Sequence, residues 1–131
     1  MKNDDLKFST DHEWVRKEGK RAVIGITDFA QESLGDIVFI DLPELNTELS
    51  AEEEITEIES TKTTSPVLSP VSGKLVEINP ELTERPELIN EDPYGAGWIA
   101  VIEMSDPSEL DNLMNQKEYH EFIREEQEEE E

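Results

Sequence analysis

The chain has 131 residues, enough for one domain of ordinary size, with 34 Asp and Glu against 11 Lys and Arg and a net charge of −23. That charge disfavours binding to nucleic acid, which needs a basic surface to displace counterions, and equally disfavours docking on an anionic membrane. There is no cysteine, which excludes disulfides, thiolate metal sites and a cysteine nucleophile, so any redox chemistry must come from an attached or bound group.

The first residues, MKNDDLKFSTDHEW, carry no apolar signal core, and no run approaches the ~20 apolar residues of a membrane span. The expected location is a prokaryotic cytoplasm. Trp14-Val15-Arg16 and Arg21 to Ile26 flank Lys17-Glu18-Gly19-Lys20 and predict a hairpin turning at Gly19. Thr27 or Asp28 then caps a short helix that runs to Leu34 and stops at Gly35. A strand over 37–42 ends at Pro43, weaker strands are expected at 54–59 and 67–68, and stronger ones at 73–78 and 98–104. Many short strands in a small chain predict a mainly β fold, a small flattened barrel or sandwich.

The last third changes character. Asn79-Pro80 and Asp106-Pro107 each place a capping residue before a Pro at a first helical position, and Glu109 completes a capping-box spacing. A terminal helix is expected to carry Tyr119, Phe122 and Ile123 on one face and to close an open end of the sheets. Residues 1–124 are read as one domain and 125–131 as an acidic tail without structure, because its like charges repel.

A single lysine, Lys62, stands at the polar midpoint between two candidate strands, where a tight turn pushes its amine into solvent. Of the seven lysines it is the one expected at such a midpoint. Glu59-Ser60-Thr61-Lys62 followed by Ser69-Pro70-Val71-Ser72-Gly73 resembles the lipoyl-attachment hairpin of the glycine cleavage system H-protein family. Other segments match that family in order: His12 to Arg16, Gly25 to Gln31, Leu34 to Phe39, Leu42 to Glu44, Pro86 to Asn90, Asp92 to Gly95, Gly97-Trp98 and Ser105 to Leu110. Together they cover the chain from His12 to Tyr119.

The resemblance implies a lipoyl-domain type of fold, a barrel-sandwich hybrid with short terminal helices. It also implies a carrier rather than an enzyme, with lipoate in amide linkage to Lys62 and with Glu59 and Gly73 as the context of the hairpin. The implied partners are glycine decarboxylase (P protein), aminomethyltransferase (T protein), dihydrolipoyl dehydrogenase (L protein), and a lipoate ligase or lipoyl/octanoyl transferase. Glu13 matches a family carboxylate that neutralises the aminomethyl nitrogen of a parked arm; read without the resemblance, it is a solvated strand residue. The sequence departs from the family at Glu52 and Thr56, where glycines are usual, at Glu54 and Glu57, where apolar residues are usual, and at Thr63, Thr64 and Pro66, the last replacing an acid.

Two rival readings stand beside the carrier: a lipoate-relay protein that passes its acyl group to other lipoyl domains, and an interaction module whose Lys62 stays unmodified. Biotin carriage is disfavoured by Thr61 and Thr63, where biotinyl hairpins usually place Met. Of the two histidines, His12 is expected to be packed or capped and His120 structural. Ser65 and Ser72 are not expected to act as nucleophiles. The acid clusters lack the Gly-centred spacing of a calcium loop, and Gly95 with Gly97 reads as a tight turn.

Overall fold

The computed structural model describes the backbone of residues 6–130 and the side chains of residues 6–126. Among the described residues, nine strands form two antiparallel sheets. The larger is ordered β1-β2-β3-β9-β8-β5, from Leu6–Phe8, Glu13–Glu18, Arg21–Ile26, Ala100–Met104, Gly73–Ile78 and Glu48–Leu49. The smaller is ordered β4-β6-β7, from Ile37–Ile40, Glu54–Ser60 and Thr64–Leu68. No ladder joins the two sheets among the described residues, so the expected flattened barrel is a two-sheet sandwich. Closure would need the edge strands β7 and β1 or β4 and β5 to pair, and the bulges in β4, β6 and β8 turn the sheets without bringing those edges together.

Alternation along the strands builds the core. Val15, Ala22, Ile24, Ala100 and Ile102 point inward from the large sheet and meet Ile40, Ile58 and Val67 of the small one. The opposite face of the large sheet is also covered. Leu6, Phe8, Trp14, Val23 and Val101 pack there with Tyr119 of α3 (Gln116–Glu130), whose ring stacks on Phe8 at 4.5 Å. Burial on both faces explains why β3 is apolar almost throughout, and it corrects the expectation that the terminal helix closes an end of the sheets: α3 lies on a face. The helical backbone of α3 also continues to Glu130, into the acidic segment expected to be without structure.

Local signals place the connecting elements. The Thr27 hydroxyl accepts from Ala30 N–H and starts α1 (Asp28–Leu34), and Gly35 ends it at φ 83°, where an L side chain is strained. Asn79 and Asp106 cap two 3-10 turns, at Pro80–Thr83 and Pro107–Asn112. The capping box expected of Glu109 is absent. Its carboxylate accepts instead from the Ser72 amide and hydroxyl, at 2.7 and 2.8 Å, and so ties the second 3-10 turn to the loop before β8. A short helix, α2 (Leu88–Glu91), buries Leu88 and Ile89 beside α1.

Candidate functional site

The β6–β7 hairpin closes through Ser60 N–H donating to the Thr63 carbonyl at 2.8 Å, which puts Thr61 and Lys62 at the centre of the turn. The Ser60 hydroxyl oxygen accepts from the Lys62 and Thr63 amides, both at 3.1 Å, and fixes the turn from inside. A third anchor comes from outside the hairpin: Thr61 N–H donates to the Asp36 carbonyl at 3.0 Å. The lysine is therefore exposed on a turn held at three points.

The Lys62 stem lies over the end of α1. A Cβ on Gly35 would stand 3.1 Å from Lys62 Cε, and the ammonium donates a long hydrogen bond, 3.4 Å, to the Ser33 carbonyl. Asn90 of α2 fixes that end of α1. Its amide donates to Gln31 Oε1 and the Gly35 carbonyl, both at 2.9 Å, and its oxygen accepts from Ile37 N–H at 2.9 Å. Lys62 is not alone in standing at a hairpin turn, because Lys20 follows Gly19 between β2 and β3. Lys62 is linked, through the Ser33 carbonyl, to a cleft of about 150 Å³ between α1 and the small sheet, whose lining includes Phe29, Ala30, Ser33, Leu34, Ile58 and Pro66.

Glu13 is 2% exposed, so it is not the solvated residue of the simpler reading. It pairs with Ile26 on the inward face of the large sheet and bridges to the other sheet: Oε2 accepts from Leu68 N–H of edge strand β7 at 3.2 Å, and Oε1 accepts from the Ser9 hydroxyl at 2.6 Å. Burial pushes its carboxyl up to about 7, against the opposing pull of the two hydrogen bonds. The same residue walls both the cleft beside Lys62 and a larger cavity of about 320 Å³ lined by Phe8, Ser9, Leu68 and Glu109. Only the smaller of the two includes Ser33, the acceptor of the Lys62 amine, so it is the one within reach of that side chain.

The other expected site residues divide. Glu59 is in the hairpin, on β6 opposite Thr64, and is exposed. Gly73 is not: it opens β8 in the large sheet, opposite Met104, and a Cβ there would overlap the Glu103 carbonyl oxygen. Its smallness serves the approach of two backbones, not the lysine turn. Pro66 stands opposite Glu57 on β7, an edge strand, where its missing N–H leaves no gap in the ladder. His12, at φ 68°, has Nδ1 2.8 Å from the Tyr119 hydroxyl and Nε2 3.1 Å from Glu126, so it fastens α3 to the β1–β2 turn. His120 is exposed on α3 rather than packed. Sequence reasoning missed Ser9 and Ser33. Ser33 acts through its backbone carbonyl, which no residue type advertises, and Ser9 meets Glu13 only through the β1–β2 turn.

Comparison with known proteins is consistent over nearly the whole chain. Residues 6–126 match the family model described as Glycine cleavage H-protein. The chain is 54% identical to the glycine cleavage system H protein of Coprothermobacter proteolyticus, covering 93% of this chain and 97% of that protein. It is 52% identical to that of Symbiobacterium thermophilum, covering 92% and 94%. Among solved structures, a glycine cleavage system H protein from Mycobacterium marinum is 39% identical, with a TM-score of 0.80 over 88% of this chain and 94% of that one.

Proposed function

This chain belongs to the glycine cleavage H-protein family, and we propose on that premise that Lys62 is the residue to which its lipoyl group is attached. Members of the family are carriers without catalytic activity, and this chain is a lipoyl-bearing carrier that shuttles groups within the glycine cleavage system. The observation that carries the assignment to Lys62 is the pairing of an exposed amine, on a turn held at three points, with a cleft directly beside it.

The residues present suit the group. An acyl chain forms an amide with the Lys62 amine, which loses its charge but keeps one N–H donor beside the Ser33 carbonyl. Phe29, Leu34 and Ile58 offer an apolar wall on which an alkyl arm can lie out of water. When bound, lipoate supplies a disulfide that accepts an aminomethyl group together with reducing equivalents, and the protein supplies position. Glu13 offers a buried carboxylate to a cationic cargo in that cleft, whose lining also includes Asp11: the raised pKa of Glu13 means that it ionises at little cost when a cation arrives, and a charge pair is strengthened where water is excluded. With Pro66 lining the cleft, Glu13 carries this task without a second acid on β7.

The enzymes this carrier serves are, on this reading, the P, T and L proteins, together with a lipoate ligase or a lipoyl/octanoyl transferase. The relatives named above are bacterial, which supports a bacterial cytoplasmic setting; no described helix is long and apolar enough to cross a membrane. Acylation of purified protein by lipoate ligase tests the attachment point. The wild type gains one lipoyl mass and Lys62→Arg gains none, because Arg keeps the charge but cannot form the amide. Unchanged labelling of Lys62→Arg contradicts the assignment.

A further inference from the structure

Phe39 is 50% exposed on edge strand β4, and Val38 beside it is 52% exposed. Phe39 stands opposite Glu59, Glu59 opposite Thr64, and Glu57 opposite Pro66. Directly opposed residues share a face, as do residues two apart on a strand. Phe39, Glu57, Glu59, Thr64 and Pro66 therefore form one exposed face of the small sheet, next to the Lys62 turn. Neither Glu57 nor Glu59 has an ion-pair partner among the described residues. An aromatic ring directly opposite one uncompensated carboxylate and diagonal to another fits an apolar socket rimmed on one side by Lys or Arg, and exposed aromatics of this kind supply a large part of binding energy at protein interfaces.

We propose that this face, centred on Phe39 with Glu57 and Glu59, docks the enzyme that acylates Lys62. The inference rests on Lys62 being the attachment point. Reach selects this occupant over the enzymes that use the finished arm. An unmodified amine stands on a four-carbon stem, so an enzyme that acylates it must bring its active site down to the turn and cover the adjoining sheet face. In that step the amine attacks an activated acyl carbon, forms the amide, expels the activating group and loses a proton. Once extended by the acyl arm, the same lysine can be served from farther out.

The test is acylation by lipoate ligase with lipoate and ATP, followed by intact mass at limiting carrier. Phe39→Ala lowers kcat/KM about 10-fold or more through KM, while Phe39→Leu, which keeps an apolar knob, loses much less. Glu57→Gln lowers it by a smaller factor and weakens its salt dependence. Leu45→Ala serves as control: that side chain is equally exposed, on a loop tied to β8 by Asn46 N–H donating to the Leu75 carbonyl. Thermal melts confirm that each variant is folded. Wild-type efficiency in Phe39→Ala overturns the inference, as does equal impairment in Leu45→Ala. So does a Phe39→Ala protein that acylates normally but slows aminomethyl transfer, since the face would then belong to the transferase. A wild type that is not acylated at Lys62 overturns the attachment reading, and this one with it, and is told apart by failing before any variant is compared.

Discussion

Glu13 holds the most informative charge in the molecule. Its carboxyl rises from the ordinary 4.5 to about 7 because burial removes water that two hydrogen bonds only partly replace. Below pH 4.5 the group is neutral in both folded and unfolded chains. Between 4.5 and 7 the unfolded chain gives up its proton while the folded one keeps it, so stability falls as pH rises, by about 3 kcal/mol in all. Gln does not titrate. The stability of Glu13→Gln relative to wild type should therefore increase by about that amount from pH 4.5 to pH 8, measured by urea unfolding; a difference that is flat with pH contradicts the assignment of the shift to burial. The same variant tests the arm. Lipoylation should proceed normally, while the loaded carrier, having lost the partner of its cation, releases ammonia without folate faster than wild type. Equal rates would remove Glu13 from the handling of cargo.

Among the elements, Asn90 shows how a small helix controls the site. Three hydrogen bonds from one amide join α2 to the end of α1 and to the first residue of β4, and Lys62 rests against that junction. Asn90→Ala should cost about 1–3 kcal/mol and speed exchange of the Ile37 amide about 10-fold or more, as a local opening would; unchanged exchange at Ile37 would mean that α1 is held by packing alone. The elements also mark what a sequence reveals. β3 and β8 are legible because apolar runs and turn residues agree locally, whereas β7 begins three residues before the weak strand expected at 67–68; Thr27 bounds α1 by its hydroxyl and Gly35 by the positive φ that the lack of a side chain permits. β1 and β5, at three and two residues, are too short to carry a period. Glu109 has the right spacing for a capping box yet bonds Ser72, 37 positions away, and Gly73 looks like part of the lysine turn yet packs on β9. In each case a tertiary partner outweighs a local signal. Lys62 is legible because its exposure is set by the turn itself, whereas the burial of Glu13 depends on a strand from the other sheet.

Over the whole molecule the net charge of −23 is a long-range field, and the body remains strongly acidic without the six glutamates of residues 125–131. Such a field speeds encounter with basic partners and is screened by salt. Association with the decarboxylase and the aminomethyltransferase should slow at least ~10-fold as the screening length falls from ~10 Å at 0.1 M to ~3 Å at 1 M. A rate that stays flat or rises would assign the acidity to life in a saline interior instead.

On the proposed reading, both the steering and the fold serve Lys62. Peptide mapping of the protein isolated from its native host, by mass spectrometry across all seven lysines, tests that claim most directly. The account predicts a lipoyl mass on the peptide containing Lys62 and on no other, including the peptide containing Lys20, which also stands at a hairpin turn. Lipoyl on Lys20, Lys17 or Lys74, or an unmodified Lys62 in cells that cleave glycine, would contradict it.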